Sequence, residues 1–387
     1  MNTEIVEVRT QLFRVPLREA MSDARHGAHT HFELVTVTIR LADGSQGTGY
    51  TYTGGKGGPA IRSIVEHELT PFLLGKDASD IEGLYDGMWW HIHYVGRGGI
   101  TAFAMSAVDI ALWDLKGKAL GRSVLDLLGG PVHEKLPAIA SCHGHYESIE
   151  EMAEETRDWV STGLQGLKTG FGKRGNANLG YDHKRDVAYV AAMREVLGDK
   201  MLMIDNGIAI KWDVTDAVRR AQAMEEYNLA WIEEPLGAWD PEGYANLRAK
   251  TTTRIAYGER EWTLEQFERV LATGTVDVVG VDPGRAEGIT GFKKVTERCE
   301  FYRRQANAHA WSSAIVSAAS LAISFNSPAC KLFELKPLRN PMQHDLVTVP
   351  FGHENGWIYP PTGPGLGITV LDEVVDHYRS EKVLGMK

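Results

Sequence analysis

Residues 201–207 read MLMIDNG, residues 229–235 read LAWIEEP, and residues 254–262 read RIAYGEREW. Each stretch is a short apolar run that ends in an acid: Asp205, Glu233 and Glu259. These acids lie 28 and 26 residues apart, roughly the length of one β-strand plus one helix. Three successive strands that each end in an acid predict that the acids converge where parallel strands close into a barrel.

Converging carboxylates repel one another unless a cation lies among them. A ligand set made only of oxygens favours a hard metal, so the sequence predicts one Mg²⁺ per subunit, with Mn²⁺ or Ca²⁺ as alternatives. A single acid after a strand is more often a turn residue or a helix N-cap, and we interpret Asp213 in KWDVTDAV as such a residue. The three acids in register indicate a metal-dependent enzyme.

The second part of the chain repeats the same pattern of strand and helix. Its strand-like runs are LPAIAS, GLKTGF, MLMID, LAWIE, RIAYGE, VDVVGVD, QANAH and KLFE. Helical stretches such as HKRDVAYVAAMREVLG and DAVRRAQAMEEYN separate most of these runs. Eight strand–helix units predict an α/β fold, a (β/α)₈ barrel, with its chemistry at the carboxyl ends of the strands.

The first part of the chain differs from this pattern. Residues 4–15 and 33–41 alternate apolar and polar side chains, as strands do, and helical periodicity follows a glycine-rich stretch. We therefore expect three segments along the chain. They are an N-terminal α+β domain (1–130), the barrel (131–350) and a C-terminal segment returning to the first domain (351–387).

Composition excludes several classes of partner. The chain has 387 residues, of which 43% are hydrophobic, and its net charge is −10. A negative charge argues against nucleic acid or an anionic membrane as a partner, because both bind basic surfaces. Three dispersed cysteines exclude a disulfide framework, and no run approaches the roughly 18 apolar residues of a membrane helix. The N-terminal residues form no signal-peptide core, so we expect a cytoplasmic protein.

The chain resembles the mandelate racemase subgroup of the enolase superfamily. The resemblance covers nearly the whole chain and rests on SAVDIALWDLKGKALGRSVLDLLGG, GLKTGFG, LMIDN, WIEEP, GERE, VDPGRAEGITG and GPGLGI, in that order. It implies a modified, enolase-like barrel whose mouth is closed by an N-terminal capping domain. Residues 22–32 and 53–58 match the loops with which such a domain contacts substrate.

The resemblance also implies roles for individual residues. The metal ligands correspond to Asp205, Glu233 and Glu259. A catalytic His–Asp dyad corresponds to His309 and Asp282, and the acid on the last strand corresponds to Glu334. A carboxylate that orients an imidazole also raises its basicity, which suits a proton acceptor.

Two motifs depart from the family pattern. The second barrel strand normally reads Lys-x-Lys, but this chain has Lys168-Thr169-Gly170, so the second lysine, a base, is missing. Lys168 can still point into the barrel and contact a substrate carboxylate. The third strand normally reads Asp-x-Asn, whereas Asn206 directly follows Asp205 here, so its amide leaves the strand in a different direction.

These observations together predict dehydration of a sugar acid, an aldarate or aldonate, to a 2-keto-3-deoxy acid. Elimination needs one acid–base group, His309, whereas racemisation needs groups on both faces. Two alternatives share the same site: cycloisomerisation of a sugar-acid lactone or anhydrosugar acid, and epimerisation of an acid sugar. A non-catalytic barrel is an alternative of another class, although it would have no use for a His–Asp pair.

Further residues are candidates for other contacts. His31 and Arg97 are predicted to contact the substrate, as is Asn206, with His26 and Lys56 as additional candidates. Cys142, His143 and His145 include a zinc-like set, but alternating residues of one strand cannot all face one ion, so we expect them to flank the substrate or pack. We also expect a homo-oligomer, from dimer to octamer, because such assemblies are common in the family.

Overall fold

A computed structural model of the chain describes residues 2–23, 27–174, 177–207, 212–238, 240–309, 313–337, 339 and 341–379. Its strands are β1 (Ile5–Asp23), β2 (Gly27–Leu41), β3 (Gln46–Thr53), β4 (Leu136–His143), β5 (Gly166–Gly170), β6 (Lys173–Arg174), β7 (Met201–Asp205), β8 (Trp231–Glu233), β9 (Ile255–Tyr257), β10 (Val278–Val281), β11 (Gln305–Ala308), β12 (Phe333–Leu335) and β13 (Trp357–Ile358).

The α-helices are α1 (Gly58–Ile64), α2 (Thr70–Leu73), α3 (Ile81–Ile92), α4 (Ile100–Leu120), α5 (Val124–Leu127), α6 (Ile149–Ser161), α7 (His183–Leu197), α8 (Val214–Met224), α9 (Pro241–Arg248), α10 (Leu264–Ala272), α11 (Gly288–Phe301), α12 (Ala314–Asn326) and α13 (Asp372–His377). Two π-helical turns, Val65–Leu69 and Pro341–Asp345, and a 3₁₀ turn, Glu225–Tyr227, complete the helices described. None of the helices in the described ranges is both long and apolar enough to span a bilayer.

The N-terminal sheet is antiparallel, with the order β3-β2-β1-β6. Its first two strands extend beyond the predicted 4–15 and 33–41, because their backbones stay paired as far as Asp23 and Gly27. The tip of β1 then pairs with β6, which follows the barrel strand β5. The long helix α4 packs on this sheet and is buried along most of its length.

The barrel strands are parallel and follow the order β11-β10-β9-β8-β7-β5-β4-β12. A parallel bridge between Ala306 and Cys330 joins the last two edges, so the sheet is almost closed. All eight predicted barrel strands are present, and the predicted α/β barrel with an N-terminal α+β domain is confirmed. Asp213 caps α8 by accepting a hydrogen bond from the Asp216 amide, as predicted.

Strand periodicity divides the barrel interior into layers. The floor is an apolar cluster of Ile139, Met203, Trp231, Ala256, Val278 and Leu332. Successive side chains of a strand point to opposite faces, so the residue two positions further along shares the floor's face. Those positions hold Asp205 above Met203, Glu233 above Trp231 and Glu334 above Leu332. The alternation therefore places acids directly above a water-excluding floor.

Helix α4 connects the N-terminal sheet, the barrel and the C-terminal segment. The carboxylate of Asp109 accepts hydrogen bonds from the amide and hydroxyl of Thr290 on α11. Asp114 accepts from the Leu366 amide of the C-terminal segment. That segment also reaches β1, where the Arg14 amide donates to the Tyr378 carbonyl. The domain boundaries at 130 and 350 stay predictions.

Candidate active site

Three carboxylates meet at the carboxyl ends of β7, β8 and β9. One oxygen from each of Asp205, Glu233 and Glu259 lies within 4.8 Å of the others. Asp205 and Glu233 are direct neighbours in the register of β7 and β8. In the part of the chain that the structure describes, this is the only group of three or more His, Cys, Asp or Glu side chains arranged to hold a metal ion.

The position of Glu259 depends on the glycine before it. Gly258 has φ +145°, and a β-carbon there would lie 2.6 Å from the Gly280 carbonyl oxygen, so only glycine fits between β9 and β10. Glu259 then turns toward the other acids and pairs with Arg260 at 3.0 Å. Burial opposes ionisation of Glu259, but the charges of His309, Arg260 and Arg285 outweigh it and lower the pKa of this carboxyl.

Lys168 points into the barrel among the acids. Its ammonium lies 2.8 Å from Glu334, 2.9 Å from Glu233 and 3.6 Å from Asp205. Burial alone would lower the pKa of Lys168, but these three carboxylates raise it well above its ordinary value. Lys168 is therefore a fixed buried cation, and the prediction that it faces the barrel interior is confirmed.

The charges of the site fit a divalent cation. Burial raises the pKa of Glu233, and the neighbouring anions Asp205, Glu334 and Glu259 raise it further, against the lowering effect of Lys168. A cation held by Asp205, Glu233 and Glu259 would relieve that repulsion. The donors are all carboxylate oxygens, which Mg²⁺ prefers.

The predicted dyad is formed at the ends of β10 and β11. His309 Nδ1 lies 2.8 Å from Oδ2 of Asp282, and His309 Nε2 lies 3.1 Å from Oε2 of Glu259. Oδ1 of Asp282 accepts a hydrogen bond from the Gly284 amide at 2.8 Å, and this bond fixes the orientation of the carboxylate within the turn that follows β10. With Nδ1 donating to Asp282, Nε2 is the basic nitrogen, and it points toward the acid cluster.

Two residues that sequence reasoning missed complete the surroundings of the dyad. Tyr52, on β3 of the N-terminal sheet, donates a 2.7 Å hydrogen bond to Asp282 Oδ2. Arg285 donates to the Tyr52 hydroxyl at 2.5 Å and to the Glu259 carbonyl at 3.2 Å. Burial raises the pKa of Tyr52 well above its ordinary value, so its hydroxyl stays a donor.

The last strand contributes two charged residues. Glu334 accepts a 2.6 Å hydrogen bond from Asn307 in addition to its contact with Lys168. Lys336, which was not predicted, shares the face of Glu334 and donates to Ser141 on β4 at 3.0 Å. Burial lowers the pKa of Lys336 to about 8. The alternation Leu332, Glu334, Lys336 was the signal that could have revealed it.

The predicted substrate contacts stay predictions. Asn206 is 1% exposed, and neither polar atom of its side chain has a hydrogen-bond partner among the described residues. Arg97 is exposed on a segment whose next residue, Gly98, lies against Trp262 in the loop after β9. His31 lies against Gly55 in the other capping loop. His26 falls outside the described residues.

The histidines at the end of β4 diverge. His143 is partly buried and shares the inward face of Ser141 and Ile139, whereas His145 is exposed. A β-carbon built on Gly170 would lie only 1.9 Å from His143 Nδ1. The imidazole of His143 thus fills the space that a side chain at position 170 would occupy.

Two family models together match most of the chain. The model described as mandelate racemase / muconate lactonizing enzyme, N-terminal domain, matches residues 2–129. The model described as enolase C-terminal domain-like matches residues 151–374. Both halves of the resemblance found in the sequence are therefore confirmed.

Individual proteins agree with these matches. The chain is 35% identical to a 3,6-anhydro-α-L-galactonate cycloisomerase of Streptomyces coelicolor, over 95% of this chain and 97% of that protein. It is 33% identical to an L-talarate/galactarate dehydratase of Salmonella typhimurium, over 78% and 75% of the two chains.

A solved structure supports the fold and the metal together. A racemase from Streptomyces coelicolor with bound magnesium superposes with a TM-score of 0.86 at 33% identity, covering 97% of this chain and 99% of that one. The prediction of magnesium is confirmed by that metal and by the carboxylate cluster found here. The chain is therefore an enzyme of the enolase superfamily and belongs to the mandelate racemase / muconate lactonizing enzyme family, in its mandelate racemase subgroup.

Proposed function

We propose that the protein dehydrates a sugar acid, an aldarate or aldonate, in a magnesium-dependent reaction that yields a 2-keto-3-deoxy acid. One observation carries the proposal: the His309–Asp282 pair lies directly beside the carboxylate cluster, with His309 Nε2 3.1 Å from Glu259. A base beside a cation site is the arrangement needed to remove a proton next to a carboxylate.

A proton α to a carboxylate is too weakly acidic for an imidazole acting alone. When bound by Asp205, Glu233 and Glu259, Mg²⁺ would supply a Lewis acid that stabilises the negative charge developing on the substrate carboxylate. The Lys168 ammonium adds a second fixed positive charge to the same place, and it is 3% exposed, so water screens it little. We assign substrate carboxylate binding to this region.

His309 carries the proton in this proposal. Nε2 takes the α-proton, the electrons of the C–H bond form the Cα=Cβ double bond, and the bond from Cβ to its hydroxyl oxygen breaks. A proton joins the departing hydroxyl to give water, and the enol then tautomerises to the 2-keto-3-deoxy acid. Asp282 keeps Nδ1 protonated and balances the charge of the imidazolium.

Cycloisomerisation is the second candidate. In that reaction the leaving oxygen belongs to a ring of the substrate and stays in the product. The relative that matches 95% of this chain at 35% identity is an anhydrosugar-acid cycloisomerase, which favours this alternative. The same residues would perform both reactions, because only the bond from Cβ to the leaving oxygen differs.

A substrate screen tests the proposal. The purified protein with Mg²⁺ is incubated with a panel of aldonates and aldarates, including galactarate, and with 3,6-anhydrogalactonate. We expect a 2-keto acid from at least one member. Mass spectrometry separates the two candidates, since dehydration removes one water and cycloisomerisation leaves the mass unchanged.

The role of His309 is tested in heavy water. His309→Asn should lose both turnover and exchange of the substrate α-proton for deuterium, whereas His67→Asn, which changes an exposed histidine outside the barrel, should keep both. If His309→Asn still exchanged the α-proton, the base would be another residue. No turnover and no exchange with any panel member in the wild type would reject the sugar-acid proposal.

A further inference from the structure

The mouth of the barrel contains a second imidazole besides that of His309. His143 is the last residue of β4, and it pairs with Gly170 at the end of β5. Its Nδ1 lies 1.9 Å from the position of a β-carbon on Gly170, so the ring reaches across the strand interface and lies over β5. Any side chain at position 170 would displace it.

The imidazole of His143 lies at the same level along the barrel strands as the clustered carboxylates. On β4, Ile139 belongs to the apolar floor, and His143 lies two pleats above it on the same face. Gly170 pairs in turn with Asp205, the first of the three clustered carboxylates. The imidazole over Gly170 is therefore level with the acid cluster rather than below it in the core or above it in solvent.

The two imidazoles flank the acid cluster in the order of the barrel strands. Followed from β4, the barrel order places His143 first, then the acids at the ends of β7, β8 and β9, then Asp282 and His309 just after β10 and β11, and β12 lies between β11 and β4. A substrate whose carboxylate is held by the acid cluster would therefore lie within the same ring of strand ends as both imidazoles. This arrangement provides two separate proton-transfer groups.

We propose that His143 is a second catalytic residue, the general acid that protonates the β-oxygen as it leaves. The inference rests on the proposed function and adds the source of the leaving-group proton. His309 Nε2 takes the α-proton, the C–H electrons form the Cα=Cβ bond, and the Cβ–O bond breaks with transfer of a proton from the His143 imidazolium to that oxygen. Tautomerisation then returns the enol O–H proton to His143, while His309 delivers its proton to Cβ.

Changing the leaving group tests this assignment. We compare His143→Gln with wild type on whichever sugar acid of the panel the wild type converts, and on the analogue in which fluorine replaces the β-hydroxyl. Fluoride can leave without being protonated, whereas the β-hydroxyl must gain a proton to leave as water. His143→Gln should slow loss of the oxygen at least about a hundredfold, the usual contribution of a general acid. It should keep α-proton exchange and fluoride release within about fivefold of wild type.

The exposed His67, in the turn Val65–Leu69 away from the barrel mouth, provides the matched control, and His67→Asn should leave all three rates unchanged. If His143→Gln lowered oxygen loss, fluoride release and α-proton exchange in parallel, His143 would only shape the site and the assignment would be overturned. Unchanged oxygen loss in His143→Gln would overturn it as well. Absence of α-proton exchange in the wild type would instead reject the proposed function, so the two failures are distinguishable.

Gly170 offers an independent variant that leaves His143 in the chain. Gly170→Ala places a β-carbon where the ring now lies, so it should displace the imidazole and reproduce the selective loss of His143→Gln. In the double variant the two effects should not add, because both remove the same group. Additive losses would overturn the assignment. Circular dichroism and magnesium titration of each variant establish that the fold and the metal site persist.

Discussion

The hydroxyl of Tyr52 donates a 2.7 Å hydrogen bond to Oδ2 of Asp282, across 230 residues of sequence and from the N-terminal sheet into the barrel. The same carboxylate oxygen faces His309 Nδ1 at 2.8 Å. Beside it, the Thr51 hydroxyl donates to the Gly284 carbonyl at 2.5 Å, so two consecutive residues of β3 hold the turn that carries Asp282. The N-terminal sheet thus sets the orientation of Asp282, the partner of His309 in the proposed catalytic dyad.

Tyr52→Phe should therefore reduce catalysis without removing the base. Asp282 would lose one donor and gain freedom to rotate away from His309, and a hydrogen bond to a charged group contributes about 1.5–3 kcal/mol. We expect kcat to fall roughly ten- to a hundredfold, with KM nearly unchanged. Steady-state kinetics on the substrate found in the panel screen measure both values.

Tyr85→Phe is the matched control for this change. Tyr85 also donates a buried hydrogen bond to a barrel carboxylate, Glu287, at 2.6 Å, but that acid has no contact with the dyad in the described structure. Tyr85→Phe should lower thermal stability and leave kcat intact. Equal loss of kcat in both variants would show that Tyr52 acts through general packing and not through Asp282.

Removal of a clustered carboxylate should abolish metal binding and turnover. Asp205→Asn, Glu233→Gln and Glu259→Gln each keep the shape of the side chain but remove one anionic ligand, so we expect magnesium affinity to fall at least about a hundredfold. Isothermal titration calorimetry measures the affinity, and EDTA followed by Mg²⁺ should abolish and restore wild-type activity. Glu226→Gln, at an exposed acid outside the cluster, should bind as wild type does. Full activity of the metal-free enzyme would contradict the prediction.

Lys168→Met should make the thermal stability of the protein depend more strongly on bound Mg²⁺. The ammonium now offsets the charges of Glu233 and Glu334, and uncompensated buried charges cost about 3–5 kcal/mol. We expect a lower melting temperature without metal and a larger gain on adding Mg²⁺ than in wild type, together with higher KM and lower kcat. α-Proton exchange should still depend on His309.

Lys118→Met is the control for Lys168→Met, because Lys118 also pairs with a buried carboxylate, Asp114, at 2.6 Å but lies outside the barrel mouth. It should lower stability while leaving the response to Mg²⁺ and the value of KM as in wild type. If Lys168→Met lost α-proton exchange while His309→Asn retained it, Lys168 would be the base. Epimerisation would then return as a candidate reaction.

Asp109 makes stability depend on pH. Burial raises its pKa to about 7, although hydrogen bonds from Thr290 oppose the shift. The pKa of Asp109 is higher in the folded chain than in the unfolded chain, so the protonated form of Asp109 stabilises the fold. This contribution is fully present below pH about 4 and is lost as pH rises through 7. Asp109→Asn cannot ionise, so its free energy of unfolding should fall less than that of wild type between pH 5 and 8, by up to about 3 kcal/mol. Urea unfolding at several pH values measures this, and parallel curves would contradict it.

The barrel and its acid cluster could be predicted because their signals are local and repeated. Each strand is a short apolar run, and Asp205, Glu233 and Glu259 each follow such a run at similar intervals. The capping hairpin was predicted too short, since residues 16–23 lack apolar alternation. Their strand conformation comes from backbone pairing, as between Ser22 and Ala28.

The rest of the site depends on contacts between distant segments. Nothing beside Tyr52 in the sequence indicates that its hydroxyl reaches Asp282, because that contact requires the sheet to dock on the barrel first. The place of His143 over Gly170 likewise depends on the register of β4 and β5, which a single sequence does not contain. Lys336 is different: strand alternation from Glu334 would have been sufficient to find it.

The pairing of β1 with β6 limits which segments can be exchanged between related enzymes by recombination. Ser22 and Asp23 at the tip of the first hairpin pair with Arg174 and Lys173, which follow the second barrel strand. A recombination event that replaced only the hairpin would bring a tip shaped for a different partner strand. We expect the hairpin tip and the segment after β5 to be inherited together. Chimaeras that exchange both segments should fold more often than chimaeras that exchange only one.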